Sequence, residues 1–187
     1  MLNCLYPPFR HWSDEGTIYV YSDPHFRDER VLKLRCNAVS DAEQIDRINS
    51  KVGSRDTLII LGDIGNPGDL RHLRGYKVVV LGNHDKGATV YEQYAHEVYS
   101  GPVFVGDRLI LSHEPIDFPW AFNIHGHEHG GPRMSDERHL NVCAEVIDYT
   151  PINLTHEIKH GLLSGVKNIH RFTTEQASHR KQLLQEI

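Results

Sequence analysis

The stretch Lys77-Val78-Val79-Val80-Leu81-Gly82-Asn83-His84-Asp85 decides the fold of this chain. An apolar run ends at a glycine, and an amide, an imidazole and a carboxylate follow at once. A short apolar run bounded by a turn residue reads as a strand buried on both faces, the kind found in sheets covered by helices. Alone the tetrapeptide is a weak motif, but the pattern recurs. Tyr19-Val20-Tyr21-Ser22 leads into Asp23-Pro24-His25, and Leu58-Ile59-Ile60-Leu61 leads into Gly62-Asp63. Leu109-Ile110-Leu111-Ser112 leads into His113, and Phe122-Asn123-Ile124 into His125-Gly126-His127-Glu128-His129. Successive strand ends therefore deliver oxygen and nitrogen ligands of the types that hard and borderline divalent cations take.

Working outward, residues 17–22 read as the first strand. In 40–52 the apolar positions Ala42, Ile45, Ile48 and Val52 recur at helical spacing, with Ser40 as N-cap, Glu43 completing a capping box and Gly53 just past the end. A strand at 57–61 follows, giving a strand, helix, strand unit. Residues 69–74 and 89–94 read as short helical pieces, and 76–81 as the third strand. Strands at 103–105 and 108–111, separated by Gly106-Asp107, predict a hairpin closed by a two-residue primed turn. After the break at Gly130-Gly131-Pro132, residues 140–147 resume as a strand, and 155–163 and 173–185 read as helices. The order of elements predicts two packed sheets flanked by helices.

With 187 residues, 39% of them hydrophobic, the chain can bury one core, so one domain over 1–187 with a helical tail from about 155 is expected. The formal charge of -5 argues against a general grip on nucleic acid. An acidic site can still bind a phosphate through an intervening cation. From residue 155 on, five Lys or Arg face three Asp or Glu, a bias that reads as a solvated helix face rather than a partner surface. Cys4, Cys36 and Cys143 form no CxxC pair, which fits a reducing compartment. The first sixteen residues, with Pro7, Pro8, Asp14 and Glu15, do not read as a signal peptide, and no apolar run approaches the ~20 residues of a membrane helix. A cytoplasmic protein is expected.

Joined in order, Asp-x-His, Gly-Asp, Gly-Asn-His-Asp, a lone strand-end His and Gly-His-x-His over about residues 17 to 130 resemble the calcineurin-like metallophosphoesterase family. The resemblance implies an α/β fold of two packed mixed β-sheets flanked by helices, a four-layer sandwich. It implies that Asp23, His25, Asp63 and His129 hold one divalent ion and that Asp63, Asn83, His113 and His127 hold a second, with Asp63 bridging. It also implies that water between the ions attacks phosphorus, while His84 stands over the phosphate and protonates the leaving oxygen and Asp85 orients His84. Manganese is the expected metal, and these N and O ligands also accept iron, zinc, nickel or cobalt. The implied partner is a small phosphoester, monoester or diester, nucleotide-like substrates included. A short chain leaves little material for a capping domain, so an open site and a diester are favoured. The alternative is a non-catalytic scaffold of the same fold that binds a protein, against which the presence of His84 weighs. A structural zinc site would call for a closed, cysteine-rich set, which is absent.

Several neighbours of the motifs are open to two readings. Arg27, Arg30, Arg35 and Lys86 could receive substrate phosphate oxygens or be solvated charges. Pro24 presets the turn between Asp23 and His25, and Gly62, Gly82 and Gly126 leave room for the backbone beside the ions. His125 is expected behind the ligands, Glu128 at the surface and Cys143 as a small core residue. His72, His96 and His160 read as surface residues, and Phe118 and Trp120, in one loop with Pro115 and Pro119, as part of a packed loop rather than a substrate wall or an interface.

Overall fold

Residues 57–61 are buried at every position, and a strand with no solvent face belongs in the middle of a covered sheet. The computed structural model of the chain describes residues 3–5, 10–14 and 16–185. The signal-peptide reading drew in part on Pro7, Pro8 and Glu15, which lie outside the described residues. In chain order the strands are β1 (Asn3–Leu5), β2 (Ile18–Tyr21), β3 (Thr57–Leu61), β4 (Tyr76–Val80), β5 (Glu97–Tyr99), β6 (Val103–Val105), β7 (Leu109–Leu111), β8 (Phe122–His125), β9 (Met134–Asp136), β10 (His139–Asn141) and β11 (Ile152–Asn153). The α-helices are α1 (Arg10–Ser13), α2 (Glu29–Leu34), α3 (Asp41–Lys51), α4 (Leu154–Lys159) and α5 (Ile169–Gln185).

The strands form two mixed sheets. One has the order β11-β2-β3-β4-β5, with β2 to β5 parallel and β11 antiparallel at the edge. The other has the order β1-β6-β7-β8-β10-β9, in which β7, β8 and β10 are parallel. Burial follows rank in the sheet: β3, β7 and β8 are interior and wholly buried, whereas edge strand β9 is exposed throughout. A single cluster of buried side chains joins the sheets, with Val20, Ile59 and Val79 from one and Val103, Leu111 and Ile124 from the other.

Helix α3 makes the crossover from β2 to β3, and its buried side chains Gln44 and Ile48 fall four residues apart. Gln44 accepts from the Tyr21 hydroxyl and donates to the Pro24 carbonyl at 3.0 Å, which fastens α3 to the end of β2. The Ser40 hydroxyl caps the helix by accepting from the Glu43 N–H at 3.2 Å. The reciprocal half of the capping box is not made, because the Glu43 carboxylate pairs with Arg47. The helix ends at an extended Val52 rather than at a left-handed glycine.

Other boundaries shift for local reasons. The piece expected at 69–74 is a 3₁₀ helix, Pro67–His72, which starts at the proline, and the one expected at 89–94 is a 3₁₀ turn, Ala88–Val90. The hairpin pairs Val105 with Leu109, so its loop is Gly106-Asp107-Arg108 with Gly106 at φ 66°, not a two-residue turn. The strand expected at 140–147 stops at Asn141. Cys143 makes one isolated bridge to Ser22, and the chain then turns away. Helix α4 stops at Lys159, whereas α5 begins four residues earlier than expected.

Candidate metal centre

The parallel strands of both sheets deliver their C-terminal ends to one place. Past β2 and β3 the two chains keep running side by side: Asp23 N–H donates to Gly62 O (3.1 Å), His25 N–H to Asp63 O (3.0 Å) and Phe26 N–H to Ile64 O (2.9 Å). Within this ladder Asp23, His25 and Asp63 have φ of 56°, 47° and 50°, and His127 across the cluster has 68°. Four left-handed non-glycine residues store about 1–3 kcal/mol each. Strand alternation therefore does not aim Asp23 and His25; strained turns do.

Asp63 Oδ2 sits 3.5 Å from His25 Nε2 and 3.5 Å from His113 Nε2. Asp23 Oδ1 is 3.5 Å from His129 Nε2 and 3.9 Å from His25 Nε2. Asn83 Oδ1 and His127 Nδ1 lie 2.8 Å and 3.2 Å from His113 Nε2. Two groups, Asp23–His25–His129 and Asp23–Asp63–His113, each present one ligand atom per residue within 4.8 Å of the others. All seven residues expected as ligands meet here. His84 joins neither group; it is exposed, with its ring centroid 6.0 Å from that of His25.

The atoms facing one another fit cations. Asp23 Oδ1 and His25 Nε2 are buried and have no hydrogen-bond partner among the described residues, a costly state for polar atoms unless something charged fills the gap. His113 Nδ1 lies 2.9 Å from the Leu61 carbonyl. A carbonyl only accepts, so Nδ1 carries a proton, and Nε2 is the nitrogen turned toward the Asn83 oxygen and the centre. Burial lowers the pKa of His25, against the opposite pull of Asp23 and Asp63, and favours the neutral ring a cation needs.

Each aspartate is held by one oxygen and offers the other. Asp23 Oδ2 accepts from the His127 N–H (3.0 Å) and the Cys143 thiol (3.2 Å), and Asp63 Oδ1 accepts from the His84 N–H (2.9 Å). The close backbone approach explains two glycines: a Cβ on Gly82 would sit 2.3 Å from Asp63 Oδ1, and one on Gly126 would sit 2.2 Å from Asp23 Oδ2. Only Gly62 of the three site glycines needs positive φ.

Asp85 departs from its expected role. Oδ2 accepts from the N–H groups of Asp63 and Gly82, both at 2.8 Å, and Oδ1 from the Ile64 N–H at 2.9 Å and the Tyr91 hydroxyl at 2.8 Å. These contacts occupy both oxygens, and His84 is not among them. Asp85 ties the end of β4 to the end of β3.

Glu145 and Arg35 form a support that the sequence reading missed. His129 Nδ1 is 2.8 Å from a Glu145 carboxylate oxygen, which also pairs with Arg35, and Arg35 donates to the Asp23 carbonyl. The Glu145 hydrogen bond raises the His129 pKa, more than burial lowers it. Burial would raise the Glu145 carboxyl, but His129 and Arg35 hold it below its ordinary value. In the structure β10 is a further parallel strand ending at Asn141, and Cys143 and Glu145 follow its end as the ligands follow theirs, which the expected strand over 140–147 concealed.

The remaining candidates separate. Arg27 forks onto Asp69, with Nε at 2.8 Å and the second nitrogen at 2.9 Å. Arg35 turns inward, and Arg30 and Lys86 are exposed. His125 is buried behind the ligands, while Glu128 is half-buried rather than exposed. His72, His96 and His160 are at the surface. Trp120 packs between Phe118 and Phe172 of α5, at 5.1 and 5.9 Å. Cys36 and Cys143 are free; the side chain of Cys4 lies outside the described residues.

The family model for calcineurin-like phosphoesterases matches residues 16–186. The chain belongs to the calcineurin-like phosphoesterase family. An uncharacterized protein of Methanocaldococcus jannaschii is 30% identical over 161 residues, covering 73% of this chain and 86% of that relative. The crystal structure of a protein of unknown function from Aquifex aeolicus matches with a TM-score of 0.61 at 24% identity, covering 76% of this chain and 98% of that one, a likeness of fold. In this calcineurin-like phosphoesterase the family match runs beyond residue 130 and takes in Cys143 and Glu145. Among the described residues, no helix is long and apolar enough to cross a membrane.

Proposed function

We propose that this calcineurin-like phosphoesterase hydrolyses a phosphodiester or phosphomonoester at a site for two divalent cations, manganese by preference. The observation that carries the reading is the pair of buried, partnerless atoms, Asp23 Oδ1 and His25 Nε2, facing further ligand atoms across a gap of cation size. Asp23, His25, Asp63 and His129 are assigned to one ion, and Asp63, Asn83, His113 and His127 to the other. When bound, a pair of cations supplies Lewis acidity and lowers the pKa of water at the site.

The chain's own groups do the rest. Glu145 fixes the His129 tautomer, so that Nε2 faces Asp23. Cys143 and the His127 amide fix Asp23, leaving Oδ1 turned inward. His84 stands at the exposed rim, where a ring nitrogen can stabilise charge on the phosphate and give a proton to the leaving oxygen. Its backbone N–H is bonded to the Asp63 carboxylate, so the loop that carries His84 is positioned by the central ligand itself. The open rim favours a diester, whose second ester arm needs room. The free thiol at exposed Cys36 suits the cytoplasm.

A panel of aryl phosphomonoesters and phosphodiesters, assayed with manganese, zinc, cobalt and nickel, tests the reading. Turnover of a diester that His84→Asn lowers by about 10²–10⁴-fold with metal content retained is expected. No turnover of any ester with any metal would favour the scaffold reading, and loss of metal in His84→Asn would show that His84 is a ligand.

A further inference from the structure

Three clefts border the candidate centre, each reached by a loop that carries one of its residues, and their charges differ. A cleft of about 440 Å³ reaches His25 and is lined by Asp28, Glu29 and Asp41 together with Arg27 and Arg35, the latter already paired with Glu145. One of about 220 Å³ reaches Asn83 and His113, and its charged lining residue is Glu114. The third, about 430 Å³, is lined by Arg27, Arg71, Lys86 and His72, with Asn66 and Tyr94. The first mixes both signs and the second is acidic, whereas the third has cations and no carboxylate in its lining, so an anionic group attached to the substrate is attracted there.

The cationic cleft is built rather than merely charged. Buried Asp69 accepts from Arg27 and from the Asn66 amide (2.8 Å), which sets the Arg27 fork and leaves its remaining nitrogen unpaired by that carboxylate. The Arg71 guanidinium lies 5.3 Å from the Tyr94 ring centroid, a placement that holds the planar group against the aromatic face. Neither Arg71 nor Lys86 has an ion-pair partner among the described residues. Three cations set against the carboxylates of Asp69 and, beside Arg27, Asp41 leave an excess positive charge with donors suited to phosphate oxygens.

The cleft is also next to the chemistry. Arg27 follows His25 by two residues and Lys86 follows His84 by two, a separation that an extended chain covers in about 7 Å at most. We propose that this cleft is a subsite for a second phosphate of the substrate, so that the ester cleaved at the metal centre carries two phosphate groups, as an ester of a nucleoside bisphosphate does. The proposal rests on the phosphoesterase reading and narrows its substrate class. Arg71 and Lys86 receive the phosphate that is not cleaved, Arg27 borders it, and the two bound phosphates orient the ester for attack.

The test compares thymidine 5′-(p-nitrophenyl phosphate) with the same ester carrying a 3′-phosphate. The second phosphate is expected to raise kcat/KM at least tenfold, chiefly by lowering KM. In Arg71→Gln/Lys86→Gln the ratio between the two esters should fall below twofold. Equal kcat/KM for the pair in the unaltered protein, or a preference that survives the double substitution, overturns the subsite. A binding arm separates this from failure of the esterase reading. Calorimetry on metal-loaded His84→Asn should find thymidine 3′,5′-bisphosphate bound at least tenfold more tightly than thymidine 5′-phosphate. Equal affinity overturns the subsite whether or not the protein turns over any ester, and absence of turnover with retained bisphosphate preference overturns only the esterase reading.

Discussion

Asp85 receives three backbone N–H groups and a tyrosine hydroxyl, and nothing in its sequence position announces this. Read from the tetrapeptide, it is a partner for the histidine beside it; in the fold it is the knot between the ends of β3 and β4. Asp85→Ala strands those N–H groups in a half-buried place, and a buried donor without a partner costs about 1–3 kcal/mol. Urea unfolding should therefore show a loss of at least about 2 kcal/mol, together with reduced metal content. A variant as stable and metal-rich as its parent, but slower, would return Asp85 to the role of orienting His84. Glu145 acts on a different atom. A carboxylate behind a ligating histidine raises its basicity and fixes its tautomer, so Glu145→Gln should weaken manganese binding by about 10–100-fold in a chelator competition. The pH dependence has a definite sign. Glu145 raises the His129 pKa, and a proton on Nε2 competes with a cation, so affinity falls as pH drops through that raised value. In Glu145→Gln the fall should begin at lower pH; an unchanged onset would show that Glu145 does not govern the proton on His129.

At the scale of elements, the interior strands were legible because burial on both faces writes an unbroken apolar run into the sequence, as in Leu58-Ile59-Ile60-Leu61. The edges were not. β5 is Glu97-Val98-Tyr99, too short and too mixed to register, and it is held because Glu97 gathers donors from Trp12 (2.8 Å) and Tyr76 (3.0 Å) elsewhere in the fold and from Tyr99 within the strand. Burial raises the Glu97 carboxyl, but these three hydrogen bonds outweigh it and the folded pKa lies below the ordinary value. A depressed carboxyl contributes stability above its unfolded pKa of about 4.3 and loses it as pH falls through the folded value. Glu97→Gln should cost about 1–2 kcal/mol at pH 7, and the difference from the parent should shrink below about pH 4. A cost that stays constant from pH 7 to pH 3 would show that the charge is not what holds β5. The same reasoning explains the short β10. Residues 140–147 look like one strand by composition, but Cys143 and Glu145 are needed beneath the centre, and the chain leaves the sheet to place them there.

Over the whole molecule, two mixed sheets share one core, and their parallel strands end at a common edge where loops of both sheets meet. Asp23, Asp63 and Asn83 come from one sheet, and His113, His127 and His129 from the other, so the site forms only when the sheets pack. The ligand types could be read from strand ends, since each motif is local. What could not be read were the contacts that fix them, Asp85 to Ile64, Cys143 to Asp23, Glu145 to His129, because each joins residues far apart in the chain through a packing that no single segment encodes. Asp63 is the point where the two halves meet, with one carboxylate oxygen 3.5 Å from a histidine of each sheet. Metal analysis of protein stripped with chelator, reloaded with manganese and freed of excess is the direct test. The dinuclear account predicts about two ions per chain for the parent and fewer than about one for Asp63→Asn. Two ions per chain in both proteins, or none in the parent, would contradict it.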